Sequence, residues 1–145
     1  MRRYLLVALG GGLGSLLRFG VGEWMAPVTP WNPLATLLIN ISGSFVIAFL
    51  YFLSDPSGNV YLGPRLRLFL LVGFCGGYTT FSTFSLFCFE AIERGRWLDA
   101  LLNILLSHLL CLSATWFGMV TSDFARRALI GALRRARYSL RKESQ

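Results

Sequence analysis

Gly73-Phe74-Cys75-Gly76-Gly77-Tyr78-Thr79-Thr80-Phe81-Ser82-Thr83-Phe84-Ser85 lies in the middle of a hydrophobic run long enough to cross a membrane. Two adjacent glycines and two adjacent β-branched threonines are poor helix formers, and at mid-depth no water is present to repair a loosened hydrogen-bond ladder. The stretch predicts a break in a transmembrane helix. Irregular backbone at that depth is tolerated only where it is buried in protein or lines a polar cavity, and its freed carbonyls can coordinate a cation. Beyond the break, Phe81, Ser82, Thr83 and Phe84 set hydroxyls beside aromatic rings, and their spacing puts Phe81 and Phe84 on one helical face.

The surrounding chain supports the membrane reading. Its 145 residues are 54% hydrophobic and only 14% charged, with a mean hydropathy of +0.57, too apolar for a water-soluble domain. Four apolar runs, roughly Tyr4 to Gly22, Leu34 to Leu53, Leu66 to Phe89 and Leu98 to Thr121, each suffice for a hydrocarbon core of about 30 Å. The first is too long for a signal-peptide core and holds Arg18 at its far end, so it is expected to stay as a helix. This predicts an all-α, four-span membrane domain over residues 1–122 and a basic tail over 123–145. Apolar positions 124, 128, 129, 133, 136 and 140 give that tail one helical face, as expected for a helix in the headgroup plane; a solvated basic tail is the alternative.

The formal charge of +7 resides largely in this tail, which points to anionic headgroups rather than nucleic acid. Cys75, Cys88 and Cys111 lie inside spans without CxxC spacing, so neither a disulfide nor a cysteine metal site is expected. The carboxylates fall near span ends or in loops, and His108 has no partner carboxylate and reads as a packing or hydrogen-bonded residue. No catalytic constellation results, and the chain does not read as an enzyme.

What the spans carry instead is polar stripes. Gly10 and Gly14 form a small-xxx-small face for close helix packing, and Arg18 either snorkels to an interface or faces a water-filled vestibule, where it attracts anions. Thr36, Asn40 and Ser44 repeat every four residues in the second span, as do Asn103, Ser107, Cys111 and Thr115 in the fourth. Such stripes either join helices or line a pathway. Three prolines between Met25 and Pro33, with Trp24 and Trp31, predict an interfacial turn, and Asp55-Pro56-Ser57-Gly58-Asn59 predicts another. Donor groups dominate the stripes, which favours an anion over a cation. A phenylalanine ring is electropositive at its edge, so the smallest halide, strongly hydrated, could exchange waters for hydroxyl, amide and ring-edge contacts; ordinary Phe packing accounts for the same face.

Gly11-Gly12-Leu13-Gly14 with Arg18, Thr36-Leu37 with Asn40, and the whole stretch from Gly73 to Ser85 resemble the Fluc fluoride-channel family, also called CrcB, across all four spans. The resemblance implies a passive, fluoride-selective exporter of the bacterial plasma membrane, built as an antiparallel dimer with two pores and a structural sodium ion on the two-fold axis. It implies Phe81 and Phe84 as pore phenylalanines, Asn40 as a fluoride-contacting amide, Arg18 as the vestibule cation, and Thr36, Thr83 and Ser107 as a polar track. The carbonyls of Gly76 and Thr79 would hold sodium. Phe87 stands where the family often has Glu, Ala35 where glycine commonly precedes the second-span Thr, and Cys111 where Ser is common. A small proton-coupled multidrug exporter would need a carboxylate in the first span, where Arg18 is the only charge. A non-transporting subunit of a larger complex would explain the glycine faces but not Asn40 and the Thr-Phe-Ser-Thr-Phe cluster.

Overall fold

The computed structural model describes residues 1–27, 33–54 and 62–143, with side chains as far as residue 132. Its regular structure is helical: α1 (Arg2–Met25), α2 (Pro33–Leu53), α3 (Pro64–Arg67), a π-helical stretch (Leu68–Cys75), α4 (Gly76–Tyr78), α5 (Phe81–Glu93) and α6 (Trp97–Glu143). Among the described residues four segments are long and apolar enough to cross a membrane: Arg2–Met25, Pro33–Leu53, Pro64–Glu93 and Trp97–Ala132. Each contains one of the four apolar runs. The turns expected around Trp31 and over Asp55 to Asn59, and the side chains of the tail's apolar face beyond residue 132, lie outside the described residues.

Burial is inverted relative to a water-soluble domain. Many of the buried apolar side chains are small, among them Ala35, Ala48, Cys75, Ala91, Ala100 and Ala114, whereas Leu5, Leu9, Leu16, Leu105, Leu109 and Leu112 point outward. Lipid tails are as apolar as leucine, so burying leucine between spans gains little; close backbone approach gains dispersion contacts. α1 lies along the helical stretch 64–78 in this way. A Cβ on Gly10 would collide with the Phe69 carbonyl, and one on Gly14 with the Phe74 carbonyl. From the other side, a Cβ on Gly77 would run into the Gly11 carbonyl. The Gly10 and Gly14 face is therefore a backbone-to-backbone seam. α2 packs chiefly on α6, where a Cβ on Gly118 would stand 2.5 Å from the Phe45 carbonyl oxygen and 2.9 Å from Ala48 Cβ.

The third apolar segment starts at Pro64, a residue preorganised for the first helical turn. Arg67 fastens it to the end of α2: its Nη1 donates to the Ser54 carbonyl at 2.5 Å, and its guanidinium carbon lies 5.1 Å from the centre of the Tyr51 ring. Both contacts are favourable, since the last carbonyls of a helix carry partial negative charge and an aromatic face attracts a cation. Further along, Gly76 and Gly77 remain helical. The residues that leave helical geometry are Thr79 (φ −79°, ψ 157°) and Thr80 (φ −149°, ψ 115°), after which α5 begins at Phe81. The adjacent β-branched residues, rather than the glycines, take up the extended backbone.

α6 passes through residues 122 and 123 without interruption. Thr121 Oγ1 and Ser122 Oγ donate to the carbonyls of Phe117 and Met119, both at 2.7 Å, and Arg126 pairs with Asp123 at 2.7 Å one turn on. The shift from apolar to basic composition there is thus a change of side chains along one helix of 47 residues, about 70 Å at 1.5 Å per residue.

Because the seam on α1 has no room for a methyl group at position 14 and open space at position 12, Gly14→Ala should destabilise the fold by about 1–3 kcal/mol, whereas Gly12→Ala should leave it as stable or raise stability by up to about 1 kcal/mol through helix propensity. Thermal unfolding of both variants in detergent checks this.

Candidate functional site

The site is built around two hydrogen bonds between α2 and the extended pair. The Thr80 backbone N–H donates to Asn40 Oδ1 at 2.9 Å, and Asn40 Nδ2 donates to the Thr80 carbonyl at 3.1 Å. The Thr80 amide can only donate, so the Asn40 oxygen must face it and the orientation of the carboxamide is settled. One N–H of Asn40 remains for another acceptor. The same geometry acts on the helix before the break: in a continued α-helix the Thr80 N–H would bond the Gly76 carbonyl, so its capture by Asn40 releases that carbonyl. Thr79 N–H and Thr79 Oγ1 both bond the Cys75 carbonyl, each at 3.0 Å.

Thr80 then starts the next helix. Its Oγ1 accepts the Thr83 N–H at 3.2 Å, donates to Thr83 Oγ1 at 3.0 Å and stands 3.1 Å from Ser82 Oγ. This is an N-cap arrangement, in which a side-chain oxygen satisfies an amide that has no partner inside the helix. Sequence reasoning named Thr80 only as part of the break. Its signal was available, a Thr three residues before a second Thr at a helix start.

Two hollows meet at Thr80. The first, about 370 Å³, is lined by Asn40, Ser44, Phe81, Phe84, Ser107 and His108 together with Thr79, Thr80 and Cys111. The second, about 350 Å³, is lined by Thr80 and by Arg18, Glu23, Thr36 and Thr83. The stripe on α2 therefore serves both, with Thr36 in one, Ser44 in the other and Asn40 at the junction. Of the residues singled out from sequence, Phe81, Phe84, Asn40 and Ser107 come together in the first hollow, and Arg18, Thr36 and Thr83 in the second. Gly76 is exposed and lines neither.

The two phenylalanines share a helical face, with ring centres 5.4 Å apart, yet their surroundings differ: Phe84 is 7% exposed and Phe81 is 73% exposed. Phe84 also meets the His108 ring in an edge-on contact at 6.0 Å. His108 Nδ1 lies 2.7 Å from the Ile104 carbonyl oxygen, so Nδ1 carries the proton and Nε2 is the free ring nitrogen. The sequence reads His108, which has no partner carboxylate, as a packing or hydrogen-bonded residue; the structure gives it both contacts and also places it in the hollow beside Ser107. Asn103 instead joins Ser107 to α5, accepting from Ser107 Oγ at 3.4 Å and donating to Cys88 Sγ at 3.4 Å.

Among the described residues the first hollow has donors and ring edges and no carboxylate. The second pairs opposite charges at its mouth without joining them: no hydrogen bond or ion pair holds Arg18 among the described residues, and Glu23 shares its hollow. Such a lining suits a small anion that must trade its water shell for N–H and O–H donors. Among the described residues no group of three or more His, Cys, Asp and Glu side chains converges, so a cation here would rely on neutral oxygens.

Residues 5–119 match the family model described as CrcB-like protein, Camphor Resistance (CrcB). The chain is 41% identical over 131 residues to the fluoride-specific ion channel FluC of Paramagnetospirillum magneticum, covering 88% of this chain and 100% of that protein. It is 45% identical over 118 residues to the protein of the same name from Rhodospirillum rubrum, covering 81% and 92%. Against that of Coxiella burnetii the identity is 44% over 119 residues, covering 80% and 94%.

The Thr80 hydroxyl and its three partners can be tested apart from any transport. Thr80→Val keeps the shape and removes the cap, and should lower stability in detergent by about 1 kcal/mol; Thr80→Ser keeps the oxygen and should melt like the parent chain in the same heating experiment.

Proposed function

This chain belongs to the CrcB family, and from that premise we propose that it is a fluoride-selective channel through which fluoride leaves the cytoplasm passively. The family is one of ion channels rather than enzymes. The observation that carries the reading beyond the family is the junction of the two hollows at Thr80, where Asn40 keeps one N–H free. In this reading Arg18 draws fluoride into the second hollow, Thr36 and Thr83 offer hydroxyls, and the ion passes to Asn40, Ser107 and the ring edges of Phe81 and Phe84. The neutral lining of the first hollow lowers the barrier for an anion while holding it weakly enough to move on. The exporter and helper-subunit alternatives find no support in relatives that all carry the fluoride-channel name.

The exposed ring of Phe81 supports a second subunit, because a pathway with one wall open to lipid would lose its ion. An antiparallel partner would bring a second copy of the break to the two-fold axis. There the released Gly76 carbonyl, exposed on this subunit, and the Thr79 carbonyl would form half of an oxygen cage for structural sodium; a monovalent cation suits dipoles without formal charge. The channel body is assigned to residues 1–122, and the basic tail over 123–145, which continues α6 beyond the span, to the cytoplasmic side, in a multi-pass protein of the plasma membrane.

Charge distribution argues for a preferred orientation. With the N-terminal end inside, 11 basic residues, from Arg2 and Arg3 to Arg141 and Lys142, are cytoplasmic, against Arg18, Arg94 and Arg96 opposite. An antiparallel dimer then forms either from a minority of inverted copies or with an oppositely oriented paralogue.

Fluoride efflux from reconstituted liposomes tests the function. The native chain should release fluoride but not chloride, and Phe81→Ile and Phe84→Ile should each cut the flux strongly while the protein stays dimeric. Replacing all sodium with a large organic cation should lower flux or stability. Unchanged flux in both variants would remove the phenylalanines from the path.

Orientation is read separately by labelling single cysteines at Asn59 and Gly95 in a chain without Cys75, Cys88 and Cys111. Position 59 should react mainly from the cytoplasmic side and position 95 from the other. Equal reactivity of each from both sides would mean dual insertion.

A further inference from the structure

A third hollow, about 750 Å³, lies away from the proposed ion path, between the start of α1 and the start of the third apolar segment. Arg2, Arg3 and Arg65 line it, together with Tyr4, Val7 and Leu68, and among the described residues no carboxylate does. Its cations differ from most others on the described surface. Arg94, Arg96 and Arg126 each pair with a carboxylate three or four residues away in sequence, and Arg67 bonds the Ser54 carbonyl. Arg2, Arg3 and Arg65 make no hydrogen bond or ion pair among the described residues. Arg18 and Arg127 are likewise unpaired among the described residues, but Arg18 shares its hollow with Glu23 rather than with a second arginine.

Three guanidinium groups converging from two elements, without an internal counter-charge, repel one another unless an anion sits among them. Planar guanidinium forks match phosphate oxygens in a bidentate fashion. The depth of the hollow says which phosphate. Arg2 and Arg3 stand in the first turn of α1, whereas Val7 is four or more residues further along, about 6 Å deeper at 1.5 Å per residue. The rim, with the exposed Tyr4 ring beside the arginines, is thus cationic, and the deeper floor of Val7 and Leu68 is apolar. We propose that this hollow binds the phosphate of an anionic lipid, the headgroup between the arginines and the upper acyl chain against the floor. The assignment requires only that the chain spans a membrane, and it stands whether or not fluoride is the permeant ion.

The test uses the purified full chain in an uncharged detergent, where insertion orientation plays no part. Native mass spectrometry measures retention of dioleoylphosphatidylglycerol against dioleoylphosphatidylcholine. The expected result is preferential retention of the anionic lipid, about one per subunit, with affinity falling about fivefold for each arginine removed in Arg65→Gln and in the triple variant R2Q/R3Q/R65Q. A control, R126Q/R127Q, should bind as the native chain does. Should the triple variant fail to fold, Arg65→Gln alone carries the comparison. Equal retention of the two lipids, or retention unaffected by loss of Arg65, overturns the proposal. Displacement of the lipid by an equal concentration of inorganic phosphate also overturns it, because the site would then recognise free phosphate.

Discussion

The pair of hydrogen bonds between Asn40 and Thr80 is the constraint on which the rest of the site depends. Backbone that leaves helical geometry inside a membrane exposes an amide and a carbonyl that lipid cannot satisfy, at a cost of several kcal/mol each. Asn40 satisfies both groups of one residue with one side chain. The bond has consequences in both chain directions. Upstream the Gly76 carbonyl loses its helical donor, and downstream Thr80 is held where its hydroxyl can cap α5. A polar stripe that looks like a choice between joining helices and lining a pathway turns out to do both, since Asn40 anchors Thr80 and also borders a hollow.

That geometry is held by seams made of small residues. The glycines of α1 let its backbone lie against the stretch 64–78, and Gly43 on α2 leaves room for Thr79 Cγ2 and the Tyr78 ring. Ser42 Oγ meets the Tyr78 hydroxyl at 2.9 Å, and Ser15 Oγ donates to the Gly77 carbonyl at 3.3 Å, so hydroxyls join the approaches on both sides of the break. With the large leucines outward, the interior has few flexible side chains that could adjust to a shifted backbone. Position is therefore transmitted rigidly from the seams to the extended pair, as close packing demands.

The two ends of the chain's polar interior are chemically unlike. Arg18 and Glu23 share a hollow at one end, where an anion would meet attraction and repulsion side by side. Deeper in, formal charge gives way to amide, hydroxyl and ring-edge contacts, with His108 edge-on to Phe84. At the opposite end of α1 the arginines are unpaired and apolar surface lies beneath them. The molecule thus separates a cationic membrane face from a neutral interior, consistent with placing charges where water or headgroups solvate them.

The four spans and the location of the weak helix formers are set by the sequence alone, because length, hydropathy and propensity are properties of a local stretch. The glycine faces and the four-residue stripes are legible for the same reason: period along one helix is local. Which group satisfies which was decided only by tertiary structure. That Asn40 bonds Thr80, that His108 joins Phe84 although it lies off the stripe, and that Phe81 and Phe84 share a face yet differ tenfold in exposure all depend on how neighbouring helices are tilted and how closely they approach. The π-helical turns of Leu68–Cys75 have no signature in LFLLVGFC. The unbroken course of α6 through residue 122 was likewise hidden, because composition changes there while helix propensity does not, and backbone hydrogen bonding follows the latter.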